Sequence, residues 1–177
     1  MTTLTIEDVK DKIRAVPDFP KKGIIFRDIT TGIKDADTMR AMVDYLCDAY
    51  KEYKIDYIAG IESRGFIFGM PMAYKLNCGF IPIRKPNKLP ADTIKESYDL
   101  EYGSDSIEIH ADAIEEGANV LVVDDLLATG GTAKAACSLV KKAGGNLVGA
   151  AFLIELEDLN GRAKLENCGK IISMLQY

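Results

Sequence analysis

The chain has 177 residues, of which 47% are hydrophobic and 28% charged, the balance of a soluble protein with one substantial core. A formal net charge of −5 excludes a surface that is, as a whole, a nucleic-acid footprint. No apolar run approaches the roughly 20 residues that cross a bilayer, so no membrane partner is expected. The N-terminus, Met1-Thr-Thr-Leu-Thr-Ile-Glu-Asp8, lacks a basic segment followed by an apolar stretch and reads as no secretory signal. Four cysteines (Cys47, Cys78, Cys137 and Cys168) show no C-x-x-C spacing, and a single histidine, His110, leaves no His-based zinc cluster. A reduced, cytoplasmic setting is the expectation.

Thr5 is placed to cap a first helix, with Asp8 at the reciprocal position and Ile6, Val9, Ile13 and Val16 along one face, ended by Pro17 and Pro20. A short apolar piece, Ile24-Ile25-Phe26, precedes a turn-like stretch over 28–34. Met39, Met42, Val43, Leu46, Tyr50 and Tyr53 repeat at helical spacing from about Asp37, and these positions read as core. Residues 57–61 form a strand, 65–76 a helix and 79–83 a strand. Residues 84–103, with Pro86 and Pro90, are the least core-like part, and 84–110 is either a two-stranded flap or a loop. Strands of near-continuous apolar residues come next at 119–124 and 147–156, as in a parallel sheet covered on both faces, with a helix of alanine-rich composition over 133–143. Strands alternating with helices predict a doubly wound, mainly parallel α/β fold in a single domain spanning 1–177.

The run Val120-Leu-Val-Val-Asp-Asp-Leu-Leu-Ala-Thr-Gly-Gly-Thr132 carries the chemistry. A buried strand delivers Asp124 and Asp125 into a turn made of Ala128, Thr129, Gly130, Gly131 and Thr132, which opens a helix. N–H groups of such a turn and of the helix N-terminus attract an anion, and glycine lets it approach without a Cβ clash. The adjacent carboxylates suit vicinal sugar hydroxyls. A second strand-to-helix turn, Ile61-Glu62-Ser63-Arg64-Gly65, belongs on the same sheet edge, where α/β ligand crevices form. Arg84, Lys85 and Lys88 come after the next strand and offer cations to a polyanion, although a short charge run is also the signature of a solvated loop. Neither G-x-x-x-x-G-K-[ST] nor G-x-G-x-x-G occurs.

The strand, acidic pair and Gly-Gly turn resemble the signature of the type I phosphoribosyltransferases, whose donor is phosphoribosyl pyrophosphate (PRPP). The resemblance implies that Asp124 and Asp125 hold the ribose hydroxyls, that 128–132 cradle the 5′-phosphate, and that Ser63 and Arg64, on a peptide Glu62–Ser63 that is often cis in the family, bind pyrophosphate with Arg84, Lys85 and Lys88. Further blocks resemble the adenine-specific branch: Pro17-Asp-Phe-Pro20, Gly23-Ile-Ile-Phe-Arg-Asp28, Asp56-Tyr-Ile-Ala-Gly60, Ser63-Arg-Gly-Phe66, Ile83-Arg-Lys85, Lys88-Leu-Pro90, 97–103 and Leu175-Gln-Tyr177. That branch implies an N-terminal hood over 1–35 in which main-chain atoms of Ile25 and Arg27 read the adenine edge. Phe26 stacks on the ring, Leu156 presses on its other face, and Glu101 is the catalytic acid/base on the flap. Mg²⁺, held through the pyrophosphate rather than by protein ligands, and a homodimer are implied as well.

From the residues alone, Glu101 does not stand out from Glu96, Asp99 and Glu108, and Phe26 also fits a plain core aromatic. His110 reads as a packing or surface residue. Two alternatives remain at this level: a non-catalytic PRPP-sensing regulator on the same fold, disfavoured by the negative charge, and an enzyme for another purine base.

Overall fold

Thr5 and Asp8 close the expected capping box. The Asp8 N–H donates to the Thr5 hydroxyl (3.2 Å) and the Thr5 N–H to the Asp8 carboxylate (2.8 Å), opening α1 (Ile6–Asp11) in the computed structural model, which describes residues 4–99 and 103–177. The helix does not continue to Val16. Arg14–Pro17 form β1, antiparallel to β2 (Ile25–Asp28), with Val16 opposite Phe26. Pro17 disfavours helical geometry in the residue before it, and the ladder offered by β2 overrides the helical spacing. Where the sequence suggests a plain turn, Asp28 accepts from the Thr30 N–H (2.9 Å) and hydroxyl (2.7 Å) and opens the four-residue α2 (Thr30–Ile33). These bonds, joined by Arg14, pull the Asp28 carboxyl down to about 2. The long helix, α3 (Ala36–Asp48), buries Met42, Val43 and Leu46 as its spacing predicts, but stops short of Tyr50 and Tyr53.

Contacts divide the chain into two compact units, Met1–Tyr45 and Leu46–Tyr177, with α3 contributing residues to each. In the second unit, β3 (Tyr57–Ile61), α4 (Gly65–Leu76), β4 (Gly79–Ile83), β5 (Thr93–Asp99), β6 (Ser104–His110), β7 (Asn119–Leu127), α5 (Gly131–Lys142), β8 (Asn146–Glu155) and β9 (Lys170–Gln176) succeed one another. The order β4-β3-β7-β8-β9 makes a parallel sheet, while β5 and β6 pair as an antiparallel hairpin, the first of the two options for 84–110. Val120, Leu121, Val122 and Val123 of the central β7 are fully buried, which is why that run is apolar without alternation. β7 outlasts its expected end at Asp124, because Leu126 and Leu127 stay paired with Ile154 and Glu155.

β9 has no counterpart in the sequence-based expectation. Its residues Lys-Ile-Ile-Ser-Met-Leu-Gln176 read as neither a clean alternation nor a continuous apolar run, and pairing with β8 from Gly149 to Glu155 makes it a strand. Tyr50 ties this edge down. It is fully buried, and its hydroxyl donates to the carbonyls of Ala150 (2.9 Å) and Lys170 (2.6 Å), on the two neighbouring strands. Tyr53, expected in the core, is 44% exposed instead. Tyr50→Phe removes a buried donor from the Ala150 and Lys170 carbonyls, so unfolding in urea should show a loss of about 1–2 kcal/mol; an unchanged midpoint and slope contradicts the role given to the hydroxyl.

Candidate active site

Parallel pairing sets Gly60 of β3 beside Val123 of β7, so the turns that leave these two strands emerge side by side on one edge of the sheet. The first residue of α4 presses so closely on β7 that a Cβ on Gly65 would lie 2.6 Å from the Val123 carbonyl oxygen and 3.1 Å from Asp124 Oδ1. Only glycine permits that approach.

Asp125 is buried and Asp124 half-buried at the end of β7. The Asp125 N–H donates to Asp124 Oδ1 (2.8 Å), and Arg64 Nε from the neighbouring turn sits 2.9 Å from Asp125 Oδ2. Burial pushes the Asp124 carboxyl well above the usual range, and the Asp125 charge beside it adds to the rise. Burial also raises Asp125, against the pull of Arg64. Arg64 and Asp125, expected to serve two different parts of one ligand, therefore hold each other in the free protein.

Beyond β7, the 128–132 turn leads into α5. Gly130 takes φ +77°, a left-handed conformation that favours glycine, and no side chain caps the helix. The opening N–H groups of α5 have no intrahelical acceptor, which makes this terminus a place for an anion. Thr129 is exposed, and Ala128 and Thr132 are half-buried.

In the other turn the Glu62–Ser63 peptide is cis, as in the resembling family, with Ser63 exposed. Glu62 is no loose surface charge. Its carboxylate accepts from Arg84 Nε (3.0 Å) and from the Lys85 N–H (2.9 Å), and the bonds from Arg84 hold it below the usual carboxylate range. Lys85 Nζ contacts Asp105 on β6 and the Tyr98 hydroxyl on β5 (3.1 Å). Arg84 is laced to β6 through its backbone, donating to the Glu108 carbonyl (2.9 Å) and accepting from the Glu108 N–H (2.7 Å). Lys88 is exposed, and its carbonyl accepts from Arg84 (3.4 Å). Arg84 and Lys85 thus stand at the root of the hairpin and are engaged by acids, a network that the sequence did not disclose.

Two of the acids around the hairpin have structural partners. Glu96 accepts from Ser138 (2.9 Å) and pairs with Lys142, both on α5, and Glu108 accepts from the Asn87 N–H (3.3 Å). Glu101 lies outside the described residues. His110 ends β6 opposite Thr93, its Nε2 buried without a hydrogen-bond partner among the described residues. Ile25, Phe26 and Arg27 lie on β2 of the first unit, where the Phe26 ring meets Phe19 edge-on at 5.3 Å and Ile25 is 52% exposed. Leu156 directly succeeds β8 in the second unit, its N–H donating to the Leu127 carbonyl (2.9 Å).

Sequence reasoning missed the segment after Leu156. Gly161 packs against the 128–130 turn, and Arg162 grips Glu155, which is buried. No periodicity marks them, since their contacts are formed across the fold. Among the described residues no three carboxylate, thiolate or imidazole groups cluster as a metal site.

A carboxyl whose pKa rises on folding favours the folded state while protonated and loses that advantage as pH climbs through the folded value. Ionised Asp124 therefore weakens the free protein at neutral pH. Asp124→Asn keeps the acceptor for the Asp125 N–H and removes the charge, so the Tm at pH 7 should rise by about 2–4 °C, with the gain shrinking toward pH 4. A lower Tm at pH 7 contradicts this.

Comparison with known proteins agrees with the geometry. The Phosphoribosyl transferase domain family model matches residues 32–173. Adenine phosphoribosyltransferase of Trichodesmium erythraeum is 58% identical over 170 residues, 96% of this chain and 99% of that protein. The crystal structure of adenine phosphoribosyltransferase from Thermoanaerobacter pseudethanolicus superposes with a TM-score of 0.94 at 51% identity, covering 98% of this chain and 100% of that one. The Saccharomyces cerevisiae enzyme, solved with an imino-altritol bisphosphate and adenine, gives 0.90 at 41% identity over 96% and 98% of the two chains. With two strand-end turns on one sheet edge, an acid pair and relatives of this closeness, the chain belongs to the phosphoribosyltransferase family, in its adenine phosphoribosyltransferase branch.

Proposed function

We propose that the chain transfers a phosphoribosyl group from PRPP to adenine, yielding AMP and pyrophosphate in purine salvage, with Mg²⁺ required. The observation that carries this reading is the side-by-side emergence of the acid-pair turn and the Glu62–Gly65 turn from β7 and β3, joined by Arg64 and Asp125. Asp124 and Asp125 accept from the ribose hydroxyls, Ala128, Thr129, Gly130, Gly131 and Thr132 hold the 5′-phosphate, and Ser63, Arg64, Arg84, Lys85 and Lys88 take the pyrophosphate. Mg²⁺, held through the donor's pyrophosphate rather than by protein ligands, would supply further charge neutralisation to the leaving group.

Adenine N9 attacks C1′ with inversion as the bond from C1′ to the pyrophosphate oxygen breaks, and the electron pair leaves on that oxygen. Glu101 accepts the proton that adenine N7 gives up as N9 becomes bonded. Arg64 and Lys85 must trade Asp125 and Asp105 for ligand oxygens, so the free site is held in shape by the same charges that the ligand displaces. β2 pairs with β1 alone in its sheet, and an outer strand edge is where main-chain groups meet a ligand; this supports reading of the adenine edge at Ile25 and Arg27, with Phe26 stacked on the ring. A site built to pair the amino group of adenine leaves a buried group unpaired with an oxopurine. Four free cysteines support a reducing, cytoplasmic setting, and the exposed Met70 and Tyr74, one turn apart on α4, support a homodimer.

A panel of adenine, hypoxanthine, guanine and xanthine, each with PRPP and Mg²⁺, tests the reading. Nucleotide should form from adenine at least on the order of a hundredfold faster than from any oxopurine. Preference for an oxopurine, or no turnover of any base, overturns it.

A further inference from the structure

Behind the 128–130 turn, two stretches of backbone approach each other closely. A Cβ built on Gly161 would sit 2.1 Å from the Ala128 carbonyl oxygen and 2.9 Å from the Gly130 nitrogen. A Cβ on Gly130 would in turn sit 2.3 Å from the Gly161 carbonyl oxygen. Two stretches of main chain therefore meet with no side chain between them. The two glycines differ in a useful way. Gly130 holds φ +77°, whereas Gly161 lies outside the left-handed region, so for Gly161 the obstacle to alanine is collision alone.

Neither partner in this contact is loose. On the turn side, the Leu156 N–H donates to the Leu127 carbonyl (2.9 Å), one residue before Ala128, and α5 begins at Gly131. On the other side, Asn160 bends the chain at φ 48°, and Arg162, two residues on, is locked in place. Its guanidinium forks onto both oxygens of the buried Glu155 and donates to the Ile171 carbonyl (3.1 Å), with Ser173 Oγ at 3.3 Å. Leu165, at the end of the same short helical turn, is buried. Because Glu155 is the last residue of β8, the fork ties the position of Gly161 to two strands of the central sheet.

We propose that Gly161 is a positioning residue: its backbone, held by the Arg162–Glu155 fork, backs the 128–130 turn and sets where the donor's 5′-phosphate rests. This rests on the phosphate role proposed for that turn. An alanine at 161 must drive the Ala128 carbonyl away by about 1 Å, a displacement large enough to cost a pre-set anion site most of its advantage. The pyrophosphate-side turn at 62–65 is not part of this contact, so the loss is selective.

Calorimetry of the full chain with two probes, ribose 5-phosphate and magnesium pyrophosphate, separates the outcomes. Gly161→Ala should bind ribose 5-phosphate about tenfold or more weakly and pyrophosphate within about twofold of the parent. Arg162→Lys, which keeps the charge and loses the fork, should show the same selectivity with a smaller change, and Arg162→Ala a larger one. Unchanged ribose 5-phosphate affinity in Gly161→Ala, or equal losses for both probes, overturns the proposal. If Gly161→Ala fails to fold, the two Arg162 variants decide by the same criterion. A parent that binds pyrophosphate but not ribose 5-phosphate overturns the phosphate role of the turn itself, and the positioning role with it.

Discussion

Two adjacent carboxylates at the end of a buried parallel strand are an electrostatic liability, and the site is organised around them. β7 is enclosed by neighbours on both sides, so the backbone at its C-terminal end has little freedom, and Asp124 and Asp125 are delivered to a fixed place. Burial disfavours the charge on both, and the Asp125 charge disfavours that of Asp124 again. Arg64 offsets part of this from the next turn along the sheet edge. An acid pair kept partly desolvated gains more from sugar hydroxyls than one already bathed in water.

The same economy governs the cations. A chain of net charge −5 does not draw a polyanion by its overall field, so local basic groups must do so. Arg84 is oriented by Glu62, and Lys85 by Asp105 and Tyr98 of the hairpin. These contacts keep long side chains in place before any ligand arrives, which lowers the entropy lost on binding. They also tie the hairpin to the cations proposed to meet the leaving group.

Much of this was legible in the residues. The apolar run at 57–61 reads as a strand and that at 119–124 as a strand covered on both faces, and the turns that succeed them carry polar and glycine residues that nothing in a core requires. The Thr5–Asp8 box was equally local. The features that escaped were made by tertiary partners: β1 is a strand because β2 lies beside it, β9 because β8 does, and Tyr53 turns outward because α3 ends at Asp48. At the site, nothing local marks the partner of Glu62 or the contact made by Gly161. Each gains its role from atoms distant in sequence, Arg84 for one and Ala128 for the other. Glu101, on the adenine-specific pattern alone, was never separable from its acidic neighbours by composition.

The central claim is that Asp124 and Asp125 grip the two ribose hydroxyls, and AMP compared with 2′,3′-dideoxy-AMP tests it without any chemistry taking place. By calorimetry the parent should bind AMP about tenfold or more tightly than the dideoxy compound, and the difference should collapse when both acids are replaced by asparagine. Equal affinity of the parent for the two nucleotides contradicts the account.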